Sequence, residues 1–159
     1  MLALGGLARD EDEGRVRIEQ AIASGAAAER FACMAAALGG PGDIVERPEA
    51  HLPTAPIRRV VEPGTAGFVT AIDTRALGVA VIALGGGRTR ADQAIDHAVG
   101  LSDIAAIGQE VGAGRPLAVV QARSDETARA VAEAVRAACR IGAARPEAAP
   151  TIADRIEAR

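Results

Sequence analysis

Lysine is missing from this chain: all 18 basic residues are arginine. Without lysine there is no Schiff base, no phosphate-loop lysine, and no side chain to carry biotin or lipoate. GC-rich coding accounts for arginine in lysine's place, and the chemical exclusions hold whatever the cause. Tyrosine and tryptophan are absent as well, leaving Phe31 and Phe68 as the only aromatic residues. A core must then be built from Ala, Val, Ile and Leu, small enough to let backbones approach closely. Single-stranded nucleic acid finds no stacking platform here. A duplex finds no basic track either, because the formal charge is −3 and the longest block of one sign is the acidic Asp10–Glu13. Cys33, Cys139, His51 and His97 are scattered, with no CxxC pair, so a zinc cluster is unsupported. The apolar runs fall short of the ~18 residues a membrane span needs. The opening "MLALGGLARDEDE" lacks the basic start of a signal peptide. The expectation is a cytoplasmic protein with neither nucleic acid nor membrane as a partner.

What is present reads as mixed helix and strand. A chain of 159 residues is one domain with a small appendage, and buries roughly 70% of its unfolded surface. "DEDEGRVRIEQAIASG" opens with acids that suit the positive end of a helix dipole. It offers Glu11–Arg15 and Glu13–Arg17 as i,i+4 pairs and Ile18, Ala21 and Ile22 as a narrow apolar stripe, with Gly25 as the stop. "AAAERFACMAAALGG" places Ala27, Phe31, Met34 and Leu38 on one face and ends at Gly39 and Gly40. The two helices form a hairpin too thin to be stable alone. Cys33 and Cys139 read as small core residues on helices. Pro41, Pro48, Pro53, Pro56 and Pro63 then forbid a long helix, leaving a short turn of helix near Asp43 and an extended connector.

From residue 57 the pattern changes. "IRRVVE" and "GFVTAI" read as strands, and Asp73 caps a helix through "TRALGVAVIAL" with Leu77, Val81 and Leu84 as its core face. "AIDHAVGL", "SDIAAIGQEV" and "RPLAVVQA" read as short β runs. A long helix is expected from Ser124 to about Arg140, with Ala128, Val131, Ala132, Val135 and Cys139 inward, an outward Arg129–Glu133 pair, and Gly142 as its stop. "APTIADRIEA" closes the chain as a last strand. Helix and strand do not alternate strictly, so the fold class is α+β.

The glycine run at Gly85, Gly86 and Gly87, followed by Arg88 and Arg90, is the one stretch that invites a site. A phosphate cradle needs glycines before a helix, where free N–H groups face the anion. Here they follow the helix, at its negative end, so the run reads as a helix stop and flexible turn. Arg88 and Arg90 either compensate the terminal carbonyls or sit in solvent; an anion held between them is the alternative. Asp96 beside His97 lacks a nucleophile partner, and Asp92, Asp96 and Asp103 gathering at one sheet edge is a weak acid cluster. No catalytic residue and no metal ligand is assigned.

"GQEVGAGRPLAVV", residues 108–120, resembles the repeating half of biotinyl and lipoyl carrier domains, which are barrel-sandwich folds. The fold can be shared, but the carrier function fails for want of lysine. More extensively, "GPGDIVERPEAHLPTAP", "GFVTAIDTRALGVAVIALGGGR", "IDHAVGLSDIAAIGQEV" and "RPLAVVQA" together resemble the C-terminal part of the thymidine-cleaving members of the pyrimidine nucleoside phosphorylase family. The resemblance implies an α/β-hammerhead domain over residues 64–159 and a Pro-rich connector over 47–63. Residues 1–46 would be the helical tail of the family's central α/β domain. It implies a parent enzyme for reversible phosphorolysis of thymidine to thymine and 2-deoxyribose 1-phosphate, with phosphate as co-substrate and no cofactor. The family's phosphate- and base-binding residues precede the matched region, and its dimer contact lies mainly in an N-terminal helical domain. The partners implied are upstream domains of the same enzyme. On this resemblance the chain is an inactive C-terminal fragment, Met1 being an internal methionine or the start of a truncated product. Gly85, Gly86, Gly87, Arg88 and Arg90 are the only candidates for a loop bordering the substrate cleft. The runner-up is a free-standing, non-catalytic binding or scaffolding module of hammerhead fold.

Overall fold

The computed structural model describes residues 1–148. The chain divides into two compact units, Met1–Leu52 and a second from Pro53 onward.

The first unit is helical. Helix α1 (Glu11–Ala23) starts at Asp10, whose carboxylate accepts the Glu13 N–H. Glu13 then takes Arg17 as expected, but its second partner is Arg9 from the preceding turn. The Glu11–Arg15 pair that the spacing predicts does not form among the described residues. Helix α2 (Ala26–Ala37) packs on α1 across the Ser24–Gly25 link, where Gly25 is left-handed (φ 80°). The apolar residues of this pair that are withdrawn from solvent are small. Gly14 is buried and Ala21, Ala32 and Ala35 are half-buried, while Ile18, Ile22, Phe31, Met34 and Leu38 stay exposed. Cys33 is exposed on α2, contrary to its expected place in a core. The turn near Asp43 is present and closes with Arg47 N–H donating to the Asp43 carbonyl. The connector is not wholly extended: helix α3 (Pro48–His51) forms because proline pre-sets the dihedral of a first helical position. Asp43 accepts from both Arg47 and His51, which ties that turn to α3.

The second unit holds the core. Strands β1 (Ile57–Val61) and β2 (Gly67–Ile72) and helix α4 (Thr74–Leu84) fall where the sequence places them. They are followed by β3 (Gly100–Ser102), β4 (Glu110–Val111), β5 (Ala118–Ala122), helix α5 (Asp125–Ala138) and β6 (Cys139–Gly142). The strands make two three-stranded antiparallel sheets, ordered β1-β5-β3 and β4-β2-β6. In the first, Val61 faces Ala118 and Leu101 faces Val120; in the second, Phe68 faces Gly142. Helices α4 and α5 pack on each other, and α5 lies against β1 and β5. Val61, Val69, Val111, Leu117, Val120 and Val135 are almost wholly buried, an aliphatic core with no aromatic residue at its centre. The architecture is mixed α+β, as the element pattern implies.

Several local expectations are corrected. The run through Ala94–Leu101 is loop until Gly100, because Asp96 accepts the Ala98 N–H and turns the chain. "SDIAAIGQEV" keeps only Ser102 and Glu110–Val111 in strands, because Asp103 (φ 52°) and Gly108 (φ 84°) are left-handed and break the extension between them. Helix α5 stops at Ala138. Cys139 is the first residue of β6 and pairs with Ile72, and Gly142 ends that strand rather than a helix. Burial pushes the Cys139 thiol pKa up. Ala128, Val131, Ala132 and Val135 are buried as predicted, but Glu133 pairs with Arg136 at 2.6 Å and not with Arg129. The expected closing strand in "APTIADRIEA" lies outside the described residues. No helix among the described residues is long and apolar enough to cross a membrane.

Candidate functional site

The loop between α4 and β3 is built by the end of α4. Asp73 caps the helix start by accepting the Ala76 N–H at 2.9 Å, so the glycine run lies at the carbonyl end. Gly85 is left-handed (φ 94°) and its N–H returns to the Ile82 carbonyl, a helix stop. Gly86 and Gly87 are glycines for want of room. A Cβ on Gly86 would lie 2.9 Å from Val81 Cγ1 and 3.3 Å from two carbonyl oxygens, those of Val81 and Val99; one on Gly87 would lie 2.7 Å from Ile82 Cγ1. The run folds the chain back on the helix it has just left, and the Gly85 carbonyl accepts the Asp96 N–H at 2.9 Å.

The two arginines do not converge. Arg90 binds the Asp92 carboxylate through two nitrogens, at 3.1 and 2.5 Å. That contact raises the Arg90 pKa and lowers that of Asp92. Among the described residues Arg88 reaches the Ala91 carbonyl alone, at 3.4 Å. The Gln93 side-chain oxygen accepts from both the N–H and the hydroxyl of Thr89, which closes the tip. Thr89, Arg90, Asp92 and Gln93 line a shallow hollow on the surface. An anion there meets one guanidinium already neutralised by a carboxylate, while Arg88 has no carboxylate partner among the described residues.

A second forked ion pair in this region involves Arg123, for which the sequence carries no signal. Arg123, just past β5, forks onto Asp96: Nε donates to Oδ2 at 2.6 Å and Nη2 to Oδ1 at 2.9 Å. Hydrogen bonding from Arg123, then from the Ala98 N–H, holds the Asp96 pKa down at about 2. A carboxylate held this acidic is a poor proton acceptor near neutral pH, which removes Asp96 as a general base. The three acids read as a weak cluster take separate partners: Asp92 has Arg90, Asp96 has Arg123, and Asp103 accepts from Ser102. No group of three or more His, Cys, Asp or Glu residues among those described is arranged to hold a metal ion. Asp96, Arg123 and Gly85 are thus an anchor for the loop; His97 beside it is exposed, and no nucleophilic side chain among the described residues is hydrogen-bonded to it.

A second opening lies at the left-handed Gly108. Arg145 Nε donates to the Gly108 carbonyl at 2.8 Å, and its guanidinium lies 5.8 Å from the centroid of the Phe68 ring. The sequence gives no spacing signal for this contact. Its local warrant is the glycine at a position that needs a positive φ.

Residues 68–142 match the family described as pyrimidine nucleoside phosphorylase C-terminal domain. The whole chain is similar to curated proteins named thymidine phosphorylase. That of Burkholderia cenocepacia strain J2315 is 50% identical over 157 residues, covering 99% of this chain and 36% of the relative. That of Burkholderia orbicola strain AU 1054 is 49% identical, with the same coverage of both. The chain therefore spans about a third of the length of the curated relatives it matches. It corresponds to their C-terminal part.

Proposed function

We propose, from the pyrimidine nucleoside phosphorylase C-terminal domain that residues 68–142 carry, that this chain is the supporting C-terminal portion of a thymidine phosphorylase. The observation that carries the reading is identity of 50% maintained over 99% of the chain, helical unit included, since a module that shared only a fold would not keep it. The parent reaction is reversible phosphorolysis. Phosphate attacks the anomeric carbon of thymidine as thymine leaves, through an oxocarbenium-like transition state, giving 2-deoxyribose 1-phosphate. Phosphate is a co-substrate, and no cofactor is required.

In this reading residues 1–46 are the tail of a central α/β domain, 47–63 a connector, and 64–159 an α/β-hammerhead domain. The two small antiparallel sheets packed with α4 and α5 support the hammerhead assignment. The parent works in the cytoplasm as a homodimer joined through a helical domain upstream. The chain alone is inactive, because none of its described polar clusters joins a nucleophile, a proton acceptor and an anion site. The loop Gly85–Arg90 borders the substrate cleft of the complete enzyme, with Arg88 its available cation.

Thymine release from thymidine in phosphate buffer, by the 159-residue chain and by the same chain extended upstream, tests the reading. Turnover by the extended protein alone is expected. Phosphate-dependent release by the short chain, or none by either, overturns it. For the loop, Arg88→Ala in the extended enzyme should raise the KM for one substrate several-fold; unchanged kcat and KM values remove it from the cleft.

A further inference from the structure

The first unit is packed inside out. Within Met1–Leu52 the apolar residues of α1 and α2 withdrawn from solvent are small, Gly14, Ala21, Ala32 and Ala35, with Gly14 lying against Leu2 and Ala8, whereas the large apolar side chains face away. Ile18, Ile22, Phe31, Met34 and Leu38 expose between 50% and 81% of their surface. The spacing is that of continuous stripes: Ile18 and Ile22 are one turn apart on α1, and Phe31, Met34 and Leu38 follow i, i+3, i+7 on α2. Ala8 is the only buried apolar side chain of this unit, while the second unit buries a full aliphatic set. A helix pair with its small residues inward and its large ones outward has its main apolar surface directed at something else.

We infer that the stripes Ile18–Ile22 on α1 and Phe31–Met34–Leu38 on α2 are a docking face for the upstream polypeptide of the same enzyme. This rests on the reading above and names the surface through which the chain joins the rest of the protein. The occupant follows from length and order. The relatives continue for about two thirds of their length beyond this chain, and the chain matches their C-terminal part. The helical pair precedes the residues of the C-terminal domain family and is closest in sequence to that additional length. Its similarity to the relatives extends through these helices, so the stripes belong to a segment shared with longer proteins. A face of two isoleucines, a phenylalanine, a methionine and a leucine fits a packed protein interior better than a charged ligand, because the arginines nearest it along the helices, Arg15 and Arg30, are matched by Glu11, Glu19 and Glu29.

Cysteine footprinting tests it. Single cysteines replace Ile22, Phe31 or Met34, with Gln20→Cys and Glu29→Cys as controls away from the stripes, all in a Cys33→Ser, Cys139→Ala background. Each is placed in the chain alone and in the chain joined to the upstream two thirds of the Burkholderia cenocepacia relative. Maleimide labelling at the three stripe positions should slow at least 10-fold on joining, with the controls within 2-fold. Equal rates in both forms overturn the inference. So do stripe positions already slow in the chain alone, which would mean a second copy or the chain itself covers them. As a check independent of labelling, Phe31→Glu with Met34→Glu should leave the melting of the short chain unchanged and lower that of the joined protein; equal effects overturn the inference. A joined protein that makes thymine while its stripes stay open keeps the catalytic reading and sinks the docking face. Closed stripes without thymine release do the reverse.

Discussion

Asp96 owes its acidity to an arginine 27 positions away, and that dependence has a definite pH signature. Its folded pKa of about 2 lies below the ordinary 3.8, so folding favours the ionised form. The contribution is complete above about pH 5, shrinks as pH falls through 3.8, and is lost once pH passes the folded value. Arg123→Gln should therefore be less stable than the parent chain at neutral pH. The gap should close as the pH is lowered to about 2, as read by urea unfolding at a series of pH values. A gap of constant size down to pH 2 would mean that Arg123 acts through packing of its stem and not through Asp96. Gly86 makes a different kind of prediction. Two carbonyl oxygens and Val81 Cγ1 crowd the place of its missing Cβ, and backbone atoms cannot swing aside. Gly86→Ala should cost about 1–3 kcal/mol, in the range of overpacked sites. The loss is measurable as a lower denaturation midpoint with an unchanged slope.

Elements differ in how much of them the sequence announces. Helices α4 and α5 carry their own punctuation: Asp73 and Ser124 are caps, and the buried residues of α5 recur at helical spacing. Ser124 Oγ accepts the Thr127 N–H at 3.2 Å, so Ser124→Ala should destabilise the second unit by about 0.5–2 kcal/mol, while Ser124→Asp should retain most of it. Thermal unfolding followed by circular dichroism at 222 nm separates the two variants. Strand β6 announces nothing. "VRAACRIG" reads as continued helix, and only its pairing with β2, reinforced by the Asp73 N–H donating to the Ala138 carbonyl, turns Cys139–Gly142 into a strand. That is tertiary context overriding local preference. The loop shows the same division. That its glycines follow a helix, and so do not cradle phosphate, is legible from order alone. That Gly86 and Gly87 are demanded by Val81 and Ile82, or that Arg123 fastens the loop, depends on contacts no spacing rule encodes.

At the scale of the whole molecule, burial is divided unevenly, and stability should divide with it. The second unit concentrates its core on β1, β2, β5 and α5, where Val61, Val69, Leu117, Val120 and Val135 are almost wholly buried. The first unit holds its helices with a cap at Asp10, the ion pairs of Glu13, and the fit of Gly14 against Leu2 and Ala8. Exposed ion pairs of that kind contribute little. Short helices without a buried face open readily. Amide hydrogen exchange on the isolated chain should therefore find slow exchange in β5 and α5 and exchange at least 100-fold faster in α1 and α2. Leu117→Ala sharpens the test, because truncating a buried leucine costs about 2–5 kcal/mol and leaves a cavity. It should accelerate exchange throughout β1, β5 and α5 while α1 and α2 keep the rates they had. Uniform acceleration across both units would show that they unfold as one cooperative body, and would contradict a first unit that depends on a surface outside this chain for its stability.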